Sequence, residues 1–297
     1  MSLRNNEERM GARPAEAPIA AAQEGAAKEQ QGGAGTGLNF VTPTELINLP
    51  SAGKYYPPEH PLHGEETIEI KHMTAREEEI LTSRSFLKKG VAIDKLLQSV
   101  IVNKSIKIGD LLVGDKNAIL VYTRVLAYGA EYKTKITCPA CGDVDDYEFN
   151  LLEHTVTTPD DMSADYKICE DGTFEIPLPK TQVVACVRLL TGEDEAHFAR
   201  QSEARKKKQK KLGMAIADNA LTEQMKSFIV SLNGVSDKRE ITGFVNNMPA
   251  IDSRHLRSVY ARLTPNVDLT QNYECSSCDH EQEMEVPFTS DFFWPRQ

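Results

Sequence analysis

The stretches Cys138-Pro139-Ala140-Cys141 and Cys275-Ser276-Ser277-Cys278 decide how this sequence is interpreted, and we call each C-x-x-C pair a knuckle. A segment with helical apolar periodicity and a Gly or Pro-Asn break precedes each knuckle, at 115–128 and 252–263. Alternating runs, which are typical of half-buried strands, flank both knuckles. The sequence therefore predicts a helix–strand–knuckle–strand module that occurs twice, with alternating runs at 131–136, 144–149, 267–273 and 283–288.

Paired knuckles at hairpin tips suit a tetrahedral zinc ion. Each tight turn offers two thiolates, and two facing tips complete a four-thiolate shell with Zn–S bonds of about 2.3 Å. A closed shell leaves no coordination position for catalysis, so such an ion is structural. We expect one structural Zn²⁺ per chain, held by Cys138, Cys141, Cys275 and Cys278.

Other uses of the cysteines stay open at this point. A thioredoxin-like C-x-x-C opens a helix, whereas a strand-like run follows each knuckle. Disulfides are disfavoured in a reducing compartment. Two mixed metal sites, redox use of the thiols and the absence of metal are the remaining alternatives; the mixed sites would draw on His154, Cys169, Cys186 or His280.

Composition places the chain among globular proteins. Its 297 residues suit one or two domains, with 40% hydrophobic and 26% charged residues. The formal net charge of −10 argues against a general nucleic-acid coat, although a local basic patch can exist. No run reaches the length of a membrane-spanning helix, and no signal-peptide core is present. We therefore expect a reducing cytoplasmic setting and no membrane partner.

The predicted fold class is α+β, with the duplicated zinc-ribbon-like module on a helical body. Residues 1–38 are rich in Ala, Gly, Gln and Glu and predict a disordered tail. Residues 39–152 predict an α+β domain with the first knuckle. Residues 153–250 predict an inserted β segment with a helical arm, and 251–297 a C-terminal helix, the second knuckle and an aromatic tail.

Local signals define elements in the first domain. Gly53-Lys54 fails the phosphate-loop pattern and predicts a tight turn with aromatic residues packed behind it. Thr74 and Glu77 form a capping box that starts a helix through about Leu87, which stops at Gly90. Two more helices are predicted, at 93–102 and, capped by Asp115, up to Gly129.

The inserted segment predicts strands followed by two helices. The strands are expected at 165–169, 173–178 and 181–190, and the helices at 193–212 and about 215–232. The second helix has apolar residues at core spacing, namely Leu221, Met225, Phe228, Ile229 and Leu232. We interpret the two helices as an αα-hairpin arm.

Two segments are candidates for partner binding. The arm carries six cations in seven residues, namely Arg205, Lys206, Lys207, Lys208, Lys210 and Lys211. Such a run is either a solvated helix face or a docking surface for an acidic partner. Near the C-terminal end, Phe292, Phe293 and Trp294 either tuck into the core or anchor a partner.

The sequence predicts no enzyme. The seven histidines are scattered, and no nucleophile elbow, His-Glu-x-x-His pair or dinucleotide fingerprint is present. Asp143, Asp145 and Asp146 lie beside the first knuckle and are interpreted as a solvated hairpin edge.

A set of motifs between about Phe40 and Glu153 carries a family resemblance: Leu49-Pro-Ser-Ala-Gly-Lys-Tyr-Tyr56, His60-Pro-Leu-His63, Ile68-Glu-Ile-Lys71, Met73-Thr-Ala-Arg-Glu-Glu-Glu-Ile-Leu81, Lys89-Gly-Val-Ala-Ile-Asp94, Leu111-Leu-Val-Gly-Asp115, Tyr128-Gly129, Glu131-Tyr132 and Cys138-Pro-Ala-Cys141. With these motifs the sequence resembles the baseplate (hub) proteins of T-even-type contractile-tailed bacteriophages and their cyanophage relatives. The C-terminal Phe292-Phe293-Trp294-Pro295 is also similar to that family.

The resemblance implies a role in tail morphogenesis, as a hub component or a factor that helps build the hub. The implied partners are hub, tape-measure or tail-tube proteins, and the implied location is the virion tail baseplate or the host cytoplasm during assembly. The paired knuckles and the lysine run support an alternative, a zinc-ribbon nucleic-acid-binding regulator. A thiol oxidoreductase is a third reading.

Overall fold

The computed structural model of the protein describes residues 41–160, 162–212, 219–288 and 292–293. Their helices and strands mix along the chain, which is compatible with the predicted α+β class. The strands are β1 (Thr44–Asn48), β2 (Thr67–Lys71), β3 (Glu131–Thr137), β4 (Val144–Asn150), β5 (Thr155–Thr157), β6 (Lys167–Ile168), β7 (Phe174–Pro177), β8 (Val184–Val187), β9 (Ile229–Leu232), β10 (Asn266–Asp268), β11 (Thr270–Glu274) and β12 (Glu281–Glu285). The helices are α1 (Ala75–Thr82), α2 (Arg84–Lys89), α3 (Ala92–Val100), α4 (Val113–Tyr128), α5 (Gly192–Leu212), α6 (Ala220–Phe228), α7 (Lys238–Asn247) and α8 (Ala250–Leu263).

The strands form small antiparallel sheets. β1 pairs with β2, β3 with β4, β11 with β12, and β10 with β5, while β6, β7, β8 and β9 form a four-stranded sheet in that order. Their buried faces join one apolar cluster with the helices, which includes Leu97, Phe174, Phe228 and Leu256. The described chain from Thr42 onward forms one compact unit around this cluster.

Several predicted element boundaries were wrong. The helix expected from Thr74 to Leu87 is interrupted at Ser83, whose backbone is extended, so two helices form instead of one. Gly90 ends the second of them in the left-handed conformation, as predicted. The strands expected at 165–169 and 181–190 are shorter than predicted, at 167–168 and 184–187.

The predicted helix at 215–232 was wrong at its C-terminal end. Helix α6 ends at Phe228, and Ile229 starts a strand that pairs with β8 opposite Val187. The β-branched Ile229 and Val230 favour an extended backbone, and the edge of β8 supplies the hydrogen-bonding partners. The second helix of the proposed αα-hairpin arm is therefore shorter than predicted, and residues 213–218 of that arm lie outside the described residues.

Residues 153–250, predicted to be an insertion, contain counterparts of the first elements of the described chain. β1 and β2 are followed by α1, which begins directly after Thr74, and β7 and β8 by α5, which begins directly after Thr191. In both, a basic residue at the end of the strand binds the carboxylate of the capping box: Lys71 binds Glu77 at 2.8 Å, and Arg188 binds Asp194 at 2.7 Å. The repeat therefore extends beyond the knuckle modules.

A buried aspartate supports the same correspondence. Asp115 in α4 and Asp252 in α8 each lie 23 residues before the first cysteine of their own knuckle. Asp115 accepts the backbone N–H of Ser51 at 2.9 Å, and Asp252 accepts those of Lys180 and Thr181 at 2.7 and 3.0 Å. Both turns follow a Leu-Pro pair. The chain is thus built from two structurally similar halves.

Asp115 does not have its predicted role. The N-cap position of α4 is occupied by Leu112, and Asp115 is the third residue of the helix, where it is fully buried. Its carboxylate accepts the hydroxyls of Ser51 at 2.6 Å and Tyr56 at 2.7 Å. Asp115 therefore holds the turn around Gly53 against the helix, and Tyr56 is buried behind that turn as predicted.

Candidate metal centre

Each knuckle is the tip of a two-stranded hairpin. The pair nearest the tip is Thr137 with Val144 in the first hairpin and Glu274 with Glu281 in the second. The N–H of Cys138 donates to the carbonyl of Asp143 at 2.8 Å, and that of Cys275 to the carbonyl of His280 at 3.0 Å. The two knuckles therefore have the same backbone hydrogen bonding.

Both turns need one left-handed residue directly after the second cysteine. Gly142 has φ +75° and Asp279 has φ +53° at the equivalent position. Glycine adopts this conformation without a steric penalty, and aspartate is among the side chains that tolerate it. This residue turns the chain so that both sulfurs of a knuckle point to the same side.

The four knuckle sulfurs form one cluster although the knuckles are far apart in sequence. The Sγ atoms of Cys138 and Cys278 are 3.8 Å apart, as are those of Cys141 and Cys275. All four sulfurs lie within 4.8 Å of one another. In both close contacts, the first cysteine of one knuckle lies beside the second cysteine of the other knuckle, so the two knuckles contribute to the cluster in the same way.

These distances fit a tetrahedral zinc ion. Four sulfurs bound at about 2.3 Å around one ion would be about 3.8 Å apart, which is the separation of the two crossed pairs. A disulfide requires about 2.05 Å between sulfurs, and all four cysteines are free thiols. The donor set therefore has the chemistry and the spacing of a four-thiolate metal site.

The two cysteines of each knuckle differ in exposure and in the direction of their pKa shift. Cys138 and Cys275 are buried, whereas Cys141 and Cys278 are exposed. Backbone N–H groups, led by that of Ser277, lower the pKa of Cys275 to about 6. The backbone N–H of Cys141 likewise lowers the pKa of Cys138.

The exposed cysteines shift in the opposite direction. For Cys278 the backbone N–H of His280 favours the thiolate, but the neighbouring sulfurs, Cys141 first, outweigh it and raise the pKa to about 12. A thiolate beside another thiolate is unfavourable because like charges repel. Four ionised cysteines at these distances therefore need a cation among them.

Sequence reasoning missed a second link between the knuckles. The hydroxyls of Ser276 and Ser277 donate to the carboxylates of Asp145 and Asp143, which flank the first knuckle. The Ser277 hydroxyl lowers the pKa of Asp143. The carboxylates interpreted as a solvated edge thus bind the opposite turn. The Ser-Ser dipeptide inside the second knuckle was the available signal.

Two of the other residues considered for mixed metal sites have partners outside the cluster. Nδ1 of His154 lies 3.1 Å from the carbonyl of Leu151, and the Cys186 thiol is 3.4 Å from the Thr173 hydroxyl. Within residues 41–160, 162–212, 219–288 and 292–293, the four knuckle cysteines are the cluster of three or more metal-binding side chains that the structure brings together.

The predicted partner-binding residues fall into two groups. Helix α5 includes Arg205 to Lys211, and in it Lys207 is paired with Glu203 at 3.9 Å on the exposed surface. Phe292 and Phe293 are 2% and 4% exposed, so these two rings tuck into the protein's own core. Trp294 lies outside the described residues, and a partner-binding role for either segment stays a prediction.

The fold and the cysteine cluster define the class of molecule: a mixed α+β protein of two similar halves whose hairpins meet at four thiols. The chain belongs to the family described as T4 bacteriophage base plate protein, which matches residues 43–294. This confirms the resemblance to baseplate proteins of T-even-type phages. Comparisons with curated proteins and with solved structures found no match. None of the helices in the described ranges is long and apolar enough to cross a membrane.

Proposed function

We propose that this protein is a non-enzymatic component of the phage tail, which either forms part of the baseplate hub or helps to assemble it. Membership of the baseplate family carries this proposal. In this role it binds other tail proteins, of the hub, the tape measure or the tail tube. It acts in the virion tail baseplate or, during assembly, in the host cytoplasm.

The cysteine cluster suits a structural Zn²⁺ ion in this role. Cys138, Cys141, Cys275 and Cys278 would hold the ion and supply all four ligands, which leaves no position for a substrate. The two 3.8 Å sulfur separations across the hairpins carry this part of the proposal. A shared ion stabilises the folded state because its binding free energy is folding free energy.

Metal analysis tests the site directly. We expect elemental analysis of the purified protein to give one zinc per chain, and Cys278→Ser to lose most of it. Cys169→Ser is the matched control, since this cysteine lies outside the cluster and should leave the zinc content unchanged. A protein that still binds no metal after refolding with excess zinc would contradict the proposal.

Partner binding needs a separate experiment. We expect pull-downs with purified hub, tape-measure and tail-tube proteins to retain at least one of them. Charge reversal at Lys206 to Lys211 should leave the fold intact and weaken that binding, because the arm is proposed to dock on an acidic surface. Absence of binding to every tail protein, together with absence of the chain from purified virions and assembly intermediates, would rule the role out.

A further inference from the structure

A groove runs between the two hairpins, at β4 and β11. It consists of two cavities of about 490 and 500 Å³ that share Tyr147, Asn272 and Glu283 in their walls. The lining contains five glutamates and no lysine or arginine: Glu148, Glu153, Glu274, Glu281 and Glu283. We call this feature the acidic groove.

The first hairpin has the same backbone pairing as the second but does not have the same excess of negative charge. In it, Lys133 lies opposite Glu148 and binds it at 3.1 Å, and Lys135 lies opposite Asp146. In the second hairpin, Glu274 lies directly opposite Glu281. Like charges at directly opposite positions destabilise a strand pair. At the positions of Lys135 and Lys133, the second hairpin has Asn272 and Thr270, so Glu283 and Glu285 lie opposite uncharged residues where the first hairpin has cross-strand lysines.

A second difference between the two halves is an excess of positive charge on a longer helix. The helix after β8, α5, has 21 residues, whereas the corresponding α1 has 8 and is followed by the 6-residue α2. The long helix carries Arg205-Lys-Lys-Lys-Gln-Lys-Lys211. The half that has the acidic hairpin thus also has a basic extension, and the two charges are complementary.

We propose that the acidic groove of one chain binds the Arg205–Lys211 segment of a second copy of this chain. In the same chain, α5 begins beside the N-terminal end of α4, where Lys116 binds Glu195 at 3.1 Å. The first hairpin follows the other end of α4, about 24 Å away for a helix of this length. Within the described residues, the main packing partners of α5 are residues 108–110 and α4, and neither hairpin is among them. The arm of a second chain is therefore the proposed occupant of the groove.

This inference rests on the arm-docking part of the proposed function and adds a second copy of this chain to the acidic surfaces on which the arm docks. The zinc site and the baseplate role do not depend on it. Contacts between lysine or arginine and exposed carboxylates are weakened by salt. Self-association through the acidic groove should therefore decrease as the salt concentration rises.

The first test compares self-association of two variants by sedimentation at low and high salt. We expect E274Q/E281Q/E283Q to weaken association by about ten-fold, as expected for three exposed charge contacts. The control E59Q/E65Q/E66Q removes three exposed glutamates of another turn and should change nothing. Zinc content, measured on both variants, shows that the hairpins remain folded.

The second test identifies which arm fills the groove. The groove variant E281K/E283K and the arm variant K207E/K208E should each fail to associate alone. Mixed together they should associate again, because the normal arm of the first fits the normal groove of the second. A synthetic peptide of residues 200–212 should compete with association, and a peptide with glutamine at every lysine should not.

Several outcomes would overturn the inference. One is a chain that stays monomeric at low salt and high concentration, and another is association that the groove variant does not alter. Failure of the two mixed variants to associate would also overturn it. In that case, salt-sensitive protection of the arm from proteolysis in the combined variant E281K/E283K/K207E/K208E would show that a chain's own arm fills its groove. Peptide binding without self-association would indicate another basic partner. If E274Q/E281Q/E283Q still retains tail proteins in a pull-down, the proposed function stands even where the self-association inference fails.

Discussion

Three buried carboxylates occupy the same position in three helices of this protein. Glu77, Asp115 and Asp252 are each the third residue of their helix, in α1, α4 and α8, and none of them is exposed. A carboxylate in the first turn is favoured by the helix dipole. Each of the three also binds groups outside its own helix, so a local preference is used to join separate segments.

Glu77 has the most extensive set of charged and polar partners. Burial alone would raise its pKa, but hydrogen bonds from Lys71, Ser99 and Thr74 outweigh it and lower the pKa to about 2. The Lys71 Nζ and Ser99 Oγ atoms lie 2.8 and 2.6 Å from the carboxylate. This side chain joins β2, α1 and α3.

We expect Glu77→Gln to lower the free energy of unfolding by about 2 kcal/mol at pH 7. Because the pKa is depressed in the folded state, this stability is present above the unfolded value of about 4.5 and is lost as the pH falls towards 2. Urea unfolding between pH 2.5 and 7 measures both effects. Glu79→Gln, an exposed change in the same helix, is the control; an equal pH slope in wild type and Glu77→Gln would contradict the assignment.

At the scale of elements, the two knuckle modules meet where α4 contacts the start of β10. A Cβ atom added at Gly114 would lie 1.8 Å from the carbonyl oxygen of Pro265. One turn further on, the Asn117 amide donates to the side chain of Asn266 at 3.1 Å. β10 also pairs with β5, which follows the first hairpin. The first helix of one module is thus packed directly against the backbone of the other.

We expect Gly114→Ala to lower the free energy of unfolding by about 3 kcal/mol, since a rigid backbone atom occupies the position of the new methyl group. Thermal or urea unfolding measures the change. Gly243→Ala is a matched control in α7, where an added Cβ meets no atom within 4 Å. That control should be more stable by about 0.5–1 kcal/mol, because alanine favours the helix. Equal stability of the two variants would show that α4 and β10 are not in close contact.

At the scale of the whole molecule, the C-terminal end of the described chain is held by the first module. The buried Arg124 of α4 donates through Nε to the carbonyl of Phe292 at 2.5 Å and through Nη1 to that of Gly129 at 2.9 Å. The Phe292 ring in turn packs edge-on against Tyr132, with ring centroids 5.3 Å apart. The first module therefore binds both the second knuckle and the C-terminal aromatic segment.

If one zinc ion joins the hairpins, damage to one knuckle should loosen both. We expect Cys138→Ser and Cys275→Ser to lower the Tm by similar amounts, about 10 °C or more, and a strong chelator to do the same to wild type. Hydrogen exchange should quicken in β3–β4 and in β11–β12 with either substitution. Cys186→Ser, outside the cluster, should leave the exchange of both hairpins unchanged. Faster exchange confined to the substituted hairpin would show that the ion is not shared.

The sequence alone determined the modules around the knuckles. The C-x-x-C spacing, the alternating runs on both sides and the helical periodicity before them are local signals, and the structure has each of these elements. Turn and helix signals that depend on neighbouring residues, such as the capping box at Thr74 and the stop at Gly90, were also predicted. Local sequence suffices where the conformation is set by contacts within a few residues.

Only the tertiary structure decided what distant segments do together. Ile229 to Leu232 continue an apolar helical pattern, yet they form a strand because β8 supplies hydrogen bonds that the local sequence does not reveal. Asp115 is of a residue type that often caps helices, but its carboxylate is held in the core by hydrogen bonds from Ser51 and Tyr56. The four sulfurs form one cluster, and the acidic groove lies between the two hairpins, because packing brings together residues more than 100 positions apart in the sequence.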